Sequence, residues 1–286
     1  MDTEKLRAFL CVLQHGTISG AAETLGYTTS GISRLIASLE ADAGFPLLKR
    51  NHSGVAPTEE CTSLLPAMED LVRNAERYDQ LTAKVRGVEM GTVTIGTAYG
   101  AYYRPLSSII AGFTKEHPGI RVQIVEGTSS QLRALLDTHH ADICVISHRP
   151  GVARWIPLVQ DELVALVAQD HPAIADGCFA ASRFCEEPFI ELYPGRETDN
   201  SLFFEEAGIK PNTRFSTYDV HAGVAMVEAG LGVTLTNSLW GKSLTGRVVA
   251  LRLDPPVRID IGIATLPLAT LAPAVKCFIA YAESRL

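Results

Sequence analysis

Apolar positions recur at helical spacing through the first 45 residues. Leu6, Phe9, Leu10 and Leu13 stand three and four apart, which puts them on one face of a first helix that His15-Gly16 ends. A short second helix is expected next, with Ser19 available to cap it, Ala21, Ala22 and Leu25 turned inward, and Gly26-Tyr27 as its stop. The third opens at Thr28 or Thr29. Ile32, Leu35, Ile36 and Leu39 form its buried stripe, while Thr29, Ser30, Ser33, Arg34, Ala37 and Ser38 fall on the other side, and Gly44 closes it.

Two short helices joined by a tight glycine turn, the second with a face of small hydroxyl side chains and one cation, have the pattern of a helix-turn-helix. Small side chains let such a helix sink into the major groove, where hydroxyls and an arginine reach base edges or phosphates. A plain three-helix cluster with a hydroxyl-rich solvent face fits the same periodicity. Beyond it, Phe45 to Arg50 and then Asn51 to Thr58 read as strand, turn and strand, a wing with Lys49, Arg50 and His52 beside its turn.

Thr58 is placed to cap a long helix whose first turn carries Glu59 and Glu60, both favourable at a positive helix end. Leu64, Met68, Leu71, Ala75, Tyr78 and Val85 follow a near four-three repeat, interrupted by Thr82, which supports pairing of two such helices. Pro66 removes an interior backbone donor, so a kink is expected there, and the helix should end at Gly87.

From Gly91 the pattern changes to strands alternating with helices. Strands are expected at Thr92–Ile95, Val122–Val125, Ile143–Ile146, Leu163–Val167, Phe189–Leu192 and Val233–Leu235, and helices at Arg104–Glu116, Ser130–Thr138, Ser201–Ala207 and Val220–Glu228. That alternation predicts open α/β sheets with helices on both faces.

A chain of 286 residues with 47% hydrophobic and 20% charged residues can bury a real core and exceeds one ordinary domain. Met1 to Leu10 has early acidic residues and no apolar run, so neither a signal peptide nor a membrane span is expected and a cytoplasmic location follows. The net charge of −7 is not spread evenly. Residues 1–58 balance Lys5, Arg7, Arg34, Lys49 and Arg50 against Asp2, Glu4, Glu23, Glu40 and Asp42, so the remainder carries the whole excess. A neutral module with clustered cations can bind phosphate, with a modest electrostatic share. Cys11, Cys61, Cys144, Cys178, Cys185 and Cys277 show no Cys-x-x-Cys spacing and read as buried reduced thiols, with a Cys178–Cys185 redox pair as the alternative.

The segment from Phe9 to Leu48 resembles the signature of LysR-type transcriptional regulators. The resemblance is carried by Gly16-Thr17-Ile18-Ser19, Ala21-Ala22, Leu25, Ile32-Ser33-Arg34, Leu39-Glu40, Gly44, Pro46-Leu47 and Arg50. It extends along the chain, since Gly91 to Gly96 looks like the family's sensing-module start and Ala229 to Val233 like its second-lobe turn. Thr29-Ser30-Gly31 stand where the family often has Gln-Pro-Ala, Ala37 and Ser38 replace frequent basic residues, and Pro57-Thr58-Glu59-Glu60-Cys61 departs from the usual wing end, so the operator cannot be carried over.

The resemblance implies an α/β protein with an N-terminal all-α winged helix-turn-helix over residues 1–58, a dimerising helix over 59–88, and an effector-binding module over 91–286. That module resembles periplasmic-type binding proteins: two Rossmann-like α/β lobes, the first about 91–161 plus 266–286 and the second about 162–265, with the ligand between them. The expected function is regulation of transcription by sequence-specific binding to double-stranded DNA, modulated by a small-molecule effector, in a homodimer or homotetramer. Candidate DNA contacts are Thr28, Thr29, Ser30, Ser33, Arg34, Lys49, Arg50 and His52.

Open α/β sheets bind ligands beyond the carboxyl ends of their strands. The loops there hold Tyr99 and Gly100; Thr128 and Ser129 at a helix start; Ser147 and His148; Tyr193 and Arg196; Tyr218; and Thr236. Hydroxyls, phenols, free helix N–H groups and one arginine favour a small organic anion or aromatic acid. Capping alone also explains Thr128. His139, His140 and His148 lack the spacing and carboxylate partner of a metal site, so no metal or other cofactor is expected.

An enzyme is the first rival reading, but the chain has no Gly-x-Ser-x-Gly elbow, phosphate loop or His-Glu-x-x-His, and Gly230-Leu231-Gly232 runs from helix to strand, the reverse of a dinucleotide fingerprint. No catalytic residue is assigned. A stand-alone solute-binding protein would have no use for residues 1–87.

Overall fold

The computed structural model describes residues 2–51, 54–86, 89–241 and 247–285. It divides into two compact units, Met1–Glu89 and Met90–Leu286.

The first unit opens with α1 (Thr3–His15), α2 (Ile18–Leu25) and α3 (Thr29–Ala43). Each is bounded by local chemistry. Asp2 caps α1 and Gly16 ends it in the left-handed region. Thr17, rather than Ser19, caps α2: its Oγ1 accepts the Gly20 N–H at 3.1 Å, Ser19 being already inside the helix. Thr28 caps α3 by accepting the Gly31 N–H at 3.0 Å. Leu6, Phe9, Ala21, Ala22, Ile32, Ile36 and Leu39 are buried in the core as the periodicity predicts, Val12 joins them, and Leu10, Leu13 and Leu35 are only partly buried against it. Leu25 is not part of it. It is the last residue before the Gly26 turn and is left 36% exposed.

An antiparallel hairpin follows, β1 (Leu48–Asn51) on β2 (Gly54–Pro57), with Leu48 opposite Pro57. It is tied to the helices at both ends. Glu40 Oε1 accepts the N–H groups of Leu47 (2.8 Å) and Leu48 (3.2 Å), and the Val55 N–H donates to the Gly16 carbonyl at 2.9 Å. Thr58 donates to the Pro46 carbonyl and accepts the Cys61 N–H, so one hydroxyl joins the hairpin's base to the start of α4 (Glu59–Val85).

Helix α4 runs past Pro66 as one element. Its stripe divides by use. Cys61, Met68 and Val72 are buried in the helix-turn-helix core and Leu64 packs against it, while Arg7 of α1 reaches Glu76 (3.7 Å) and Asp79 (3.5 Å). Leu71, Tyr78, Leu81 and Val85 remain 39%, 69%, 46% and 89% exposed. None of the helices among the described residues is long and apolar enough to cross a membrane.

The second unit contains β3 (Gly91–Thr97), α5 (Tyr103–Glu116), β4 (Ile120–Glu126), α6 (Ser129–Asp137), β5 (Ile143–Ser147), β6 (Arg154–Ala168), α7 (Ala173–Asp176), β7 (Cys178–Ala180), β8 (Phe189–Leu192), α8 (Asp199–Glu206), β9 (Thr213–Thr217), α9 (Val220–Glu228), β10 (Thr234–Asn237), α10 (Ser238–Gly241), β11 (Val248–Asp254), β12 (Arg258–Thr265) and α11 (Pro273–Glu283). Strand order is β4-β3-β5-β12-β6-β11-β7, with β10 also on β6.

The long strand β6 belongs to two lobes. Its first half, Arg154–Glu162, pairs with β12; its second half pairs with β10 and β11. Strand β8 pairs with β9 and is bridged through Phe189 to Val233, beside β10. The chain therefore crosses outward along β6 and returns through β11 into β12. Because β12 pairs with β5 and the first half of β6, residues 258–265 complete the first lobe's sheet, which corrects their expected place in the second. Pro157 is tolerated within β6 because the register shifts at Ile261/Gly262, where a Cβ on Gly262 would stand 2.4 Å from the Ile156 carbonyl oxygen.

Helices cover both faces of each lobe, as the alternation predicts. In the first lobe Leu106 and Phe113 of α5 pack with Val275 and Phe278 of α11 on one side, and Leu132 and Leu136 of α6 on the other. In the second, Phe179, Phe184, Phe189 and Phe204 fill one side and Val227 of α9 the other.

Candidate DNA-reading face and effector cleft

The outer side of α3 is built from its N-terminus upward. Thr28, Thr29, Ser30 and Arg34 are exposed, and Ser33 is half-buried. The Thr28 hydroxyl serves the helix cap and lies 3.1 Å from Ser30 Oγ, so Thr29, Ser30 and Arg34 are the side chains left to reach outward. Among the described residues no ion pair holds Arg34 or Lys49, and both are exposed. His52 and the Arg50 side chain lie outside the described residues. Tyr27, just before the cap, donates its hydroxyl to Glu4; that bond raises its pKa and anchors the turn to α1.

In the second unit a cleft of about 970 Å³ opens between the lobes. Eight of the ten expected effector residues line it: Tyr99, Gly100, Thr128 and Ser129 from the first lobe, and Tyr193, Arg196, Tyr218 and Thr236 from the second. Two do not. Ser147 is buried one layer behind, where its backbone N–H donates to Ser129 Oγ at 3.0 Å. His148 is turned to the opposite side, exposed and edge-on to Trp155 at 5.1 Å, because successive residues leaving a strand point in opposite directions.

The first-lobe wall centres on the start of α6. Thr128 and Gln131 form a reciprocal capping box, which leaves the Ser129 and Ser130 N–H groups without intrahelical partners. Arg196 comes across from the second lobe, donating to Gln131 Oε1 at 3.3 Å while its guanidinium lies 5.1 Å from the centre of the Tyr218 ring. Tyr193 is held at φ +58°, a left-handed conformation uncommon for a bulky residue.

Lining groups that were not legible as candidates include Glu126, Asp199, His221 and Trp240. Tyr103 also lines the cleft; burial, then its hydrogen bond to Glu126, pushes its pKa up to about 12. Burial and then Asp199 raise the Tyr99 phenol well above its ordinary value, and burial followed by Asp219 raises Tyr193. These phenols stay neutral and act as donors at ordinary pH. Behind the wall, Arg149 is buried and pairs with Asp199 at 2.8 Å. It follows β5 by two residues, so the same carboxyl-end rule that selects Ser147 selects it.

Residues 86–286 match the LysR substrate binding domain, and residues 3–62 match the bacterial regulatory helix-turn-helix of the lysR family. The chain belongs to the LysR family. Members of the LysR family regulate transcription, and this chain is a DNA-binding transcriptional regulator with an effector-binding module, not an enzyme. The "Uncharacterized HTH-type transcriptional regulator YvbU" of Bacillus subtilis strain 168 is 26% identical over 288 residues, covering 99% of this chain and 98% of its own. Among solved structures, a full-length OxyR variant from Pseudomonas aeruginosa matches with a TM-score of 0.73 at 20% identity, over 99% of this chain and 94% of that one. Full-length CbnR in complex with its target DNA matches with a TM-score of 0.64 at 20% identity, over the whole of both chains. These likenesses show the same fold: a helix-turn-helix followed by two α/β lobes.

Proposed function

We propose that this LysR-type regulator acts in the cytoplasm as a homodimer or homotetramer, reads double-stranded DNA with α3 and its wing, and responds to a small organic anion or aromatic acid bound between the lobes. The observation that carries the effector half is the cleft itself, at about 970 Å³ within the size range of small-molecule sites. Its wall combines the α6 N-terminus and Arg196 as anion-favouring groups with Tyr99, Tyr193, Tyr218 and Trp240 as flat apolar surface. On this reading Thr128, Ser129 and Arg196 hold the acid group, and Gly100 and Thr236 border the remainder. The exposed apolar positions of α4 supply the pairing surface, and Thr29, Ser30, Ser33, Arg34, Lys49, Arg50 and His52 face DNA, with Thr28 fixing the helix that carries them.

Glu126 and Asp219 on the same wall favour a second reading, an acid that also carries an amine. A thermal-shift panel of aromatic acids, aliphatic dicarboxylates and amino acids tests both. The first reading expects stabilisation by a simple acid, weakened by Thr128→Val and by Arg196→Ala. Stabilisation only by amino acids supports the second, and stabilisation indifferent to both substitutions contradicts the assigned wall.

A further inference from the structure

Three side chains of one short second-lobe segment are bonded to the first lobe. Arg196 donates to Gln131, Glu197 accepts from Ser130 Oγ, and Asp199 accepts from three donors: Tyr99 OH at 2.7 Å, Ser147 Oγ at 2.5 Å and Arg149 Nη2 at 2.8 Å. In the last set the three donors are buried and Asp199 is partly so, with side-chain exposures of 8% for Arg149 and 15% for Asp199.

Two of the three donors are also held by bonds within the first lobe. Arg149 Nε donates to Ser130 Oγ at 3.0 Å, and Nη1 donates to Ser147 Oγ at 2.6 Å and to the His148 carbonyl at 3.1 Å. Ser129 Oγ lies 3.0 Å from Ser147 Oγ. Asp199 is also free of helix duty. It is the first residue of α8, where an acidic side chain commonly serves its own helix end, but Thr198 and Ser201 already close that end with a reciprocal capping box. A guanidinium, a phenol and a hydroxyl aimed at one point are the donor set that a free carboxylate requires.

We propose that Tyr99, Ser147 and Arg149 form a carboxylate-binding hole in the first lobe, which the chain fills with its own Asp199, so that the second lobe is a tethered ligand bound to the first beside the cleft without an effector. This rests on the reading of the cleft as the effector site and assigns its floor. Arg149 is already neutralised, so recognition of an incoming acid falls to the α6 N-terminus and Arg196. Parting the lobes would take Asp199 away from Arg149 and break this ion pair, which makes the bonded arrangement the resting one.

Chemical rescue of the full chain tests this with acetate as the probe. Asp199→Ala should lower the thermal midpoint by roughly 5–15 °C. Sodium acetate should then raise it saturably, by about 2–4 °C beyond sodium chloride at equal ionic strength. The wild-type chain and Asp199→Ala combined with Arg149→Met should show no such excess. Hydrogen exchange over residues 147–149 and 199–206 should speed up in Asp199→Ala and slow again with acetate. Asp199→Asn keeps the shape without the charge and should lose stability with no acetate response; it carries the test if the alanine variant does not fold. No excess over chloride in Asp199→Ala, an equal excess in wild type, or an asparagine variant matching wild type in midpoint and exchange would each overturn the proposal. Failure of every effector in the wild-type panel would instead count against the effector reading and leave this result standing.

Discussion

Gly54 and Gly16 meet backbone to backbone: a Cβ on Gly54 would stand 2.3 Å from the Gly16 carbonyl oxygen, to which the neighbouring Val55 N–H donates at 2.9 Å. Gly54 also has φ +133°, a conformation that L side chains rarely adopt. The first strand residue after the wing's turn is thus seated on the end of α1, and the wing's position is set by the helix-turn-helix.

Gly54→Ala should therefore undock the wing. The expected cost is about 2–4 kcal/mol of first-unit stability, from the clash and the strained backbone together. Chemical denaturation followed by far-UV circular dichroism measures it, and DNA affinity should fall in step. Unchanged stability would show that the close approach is relaxed at little cost.

Arg34→Ala removes an exposed cation from the outer side of α3 without touching the core. If Arg34 meets phosphate, the slope of log affinity against log salt should shrink by about 0.9 for each DNA-bound subunit and binding should weaken evenly across sequences. If it meets a base edge, discrimination at one position should fall by about 1–3 kcal/mol with the slope unchanged. Salt-dependent anisotropy titrations separate these outcomes, and identical curves for both proteins would remove Arg34 from the interface.

Tyr78→Asp places a charge in the exposed row of Leu71, Tyr78, Leu81 and Val85 while leaving Met68 and Val72 in the unit's own core. The solution mass from light scattering should drop toward that of one chain, with the thermal midpoint of the monomeric unit little changed. A mass equal to wild type would place the pairing surface elsewhere.

Alkaline pH should destabilise the second unit. The Tyr103 phenol is raised from 10.0 to about 12 and the Cys144 thiol from 9.0 to about 12, chiefly by burial, so the unfolded chain loses these protons before the folded one does. Their stabilising contribution is whole below pH 9, declines as each unfolded-state value is passed, and is gone as pH reaches about 12. Tyr103→Phe should flatten the part of that decline above pH 10 in denaturation measured at stepped pH; a curve parallel to wild type would rule out a contribution from Tyr103.

Helix α3 was readable because its burial follows from local spacing: Ile32, Ile36 and Leu39 are buried where a 3.6-residue period puts them. Leu25 obeys the same spacing and fails, being 36% exposed at the end of its helix, beside the Gly26 turn. The first half of β6 left no clear pattern because Pro157, Val159 and Gln160 are exposed, whereas Leu163 to Val167 are continuously buried and were legible. The loop rule found the cleft's outline but could not rank its contents. Strand alternation sends His148 outward, and the Arg149–Asp199 pair joins residues 50 apart in sequence, a tertiary fact with no local trace.

On the proposed function, a small acid in the cleft changes how the helix-turn-helix engages DNA. The measurement that tests it most directly is an anisotropy titration of the full chain against DNA fragments selected from its own genome, with and without acids that stabilise the protein. Tight, salt-sensitive binding is predicted, with an affinity or footprint that shifts saturably with acid, a shift lost in Thr128→Val while binding without acid is kept, and binding weakened in Arg34→Ala. An acid-induced shift of equal size in Thr128→Val, or no selective DNA binding by the wild-type chain, would contradict it.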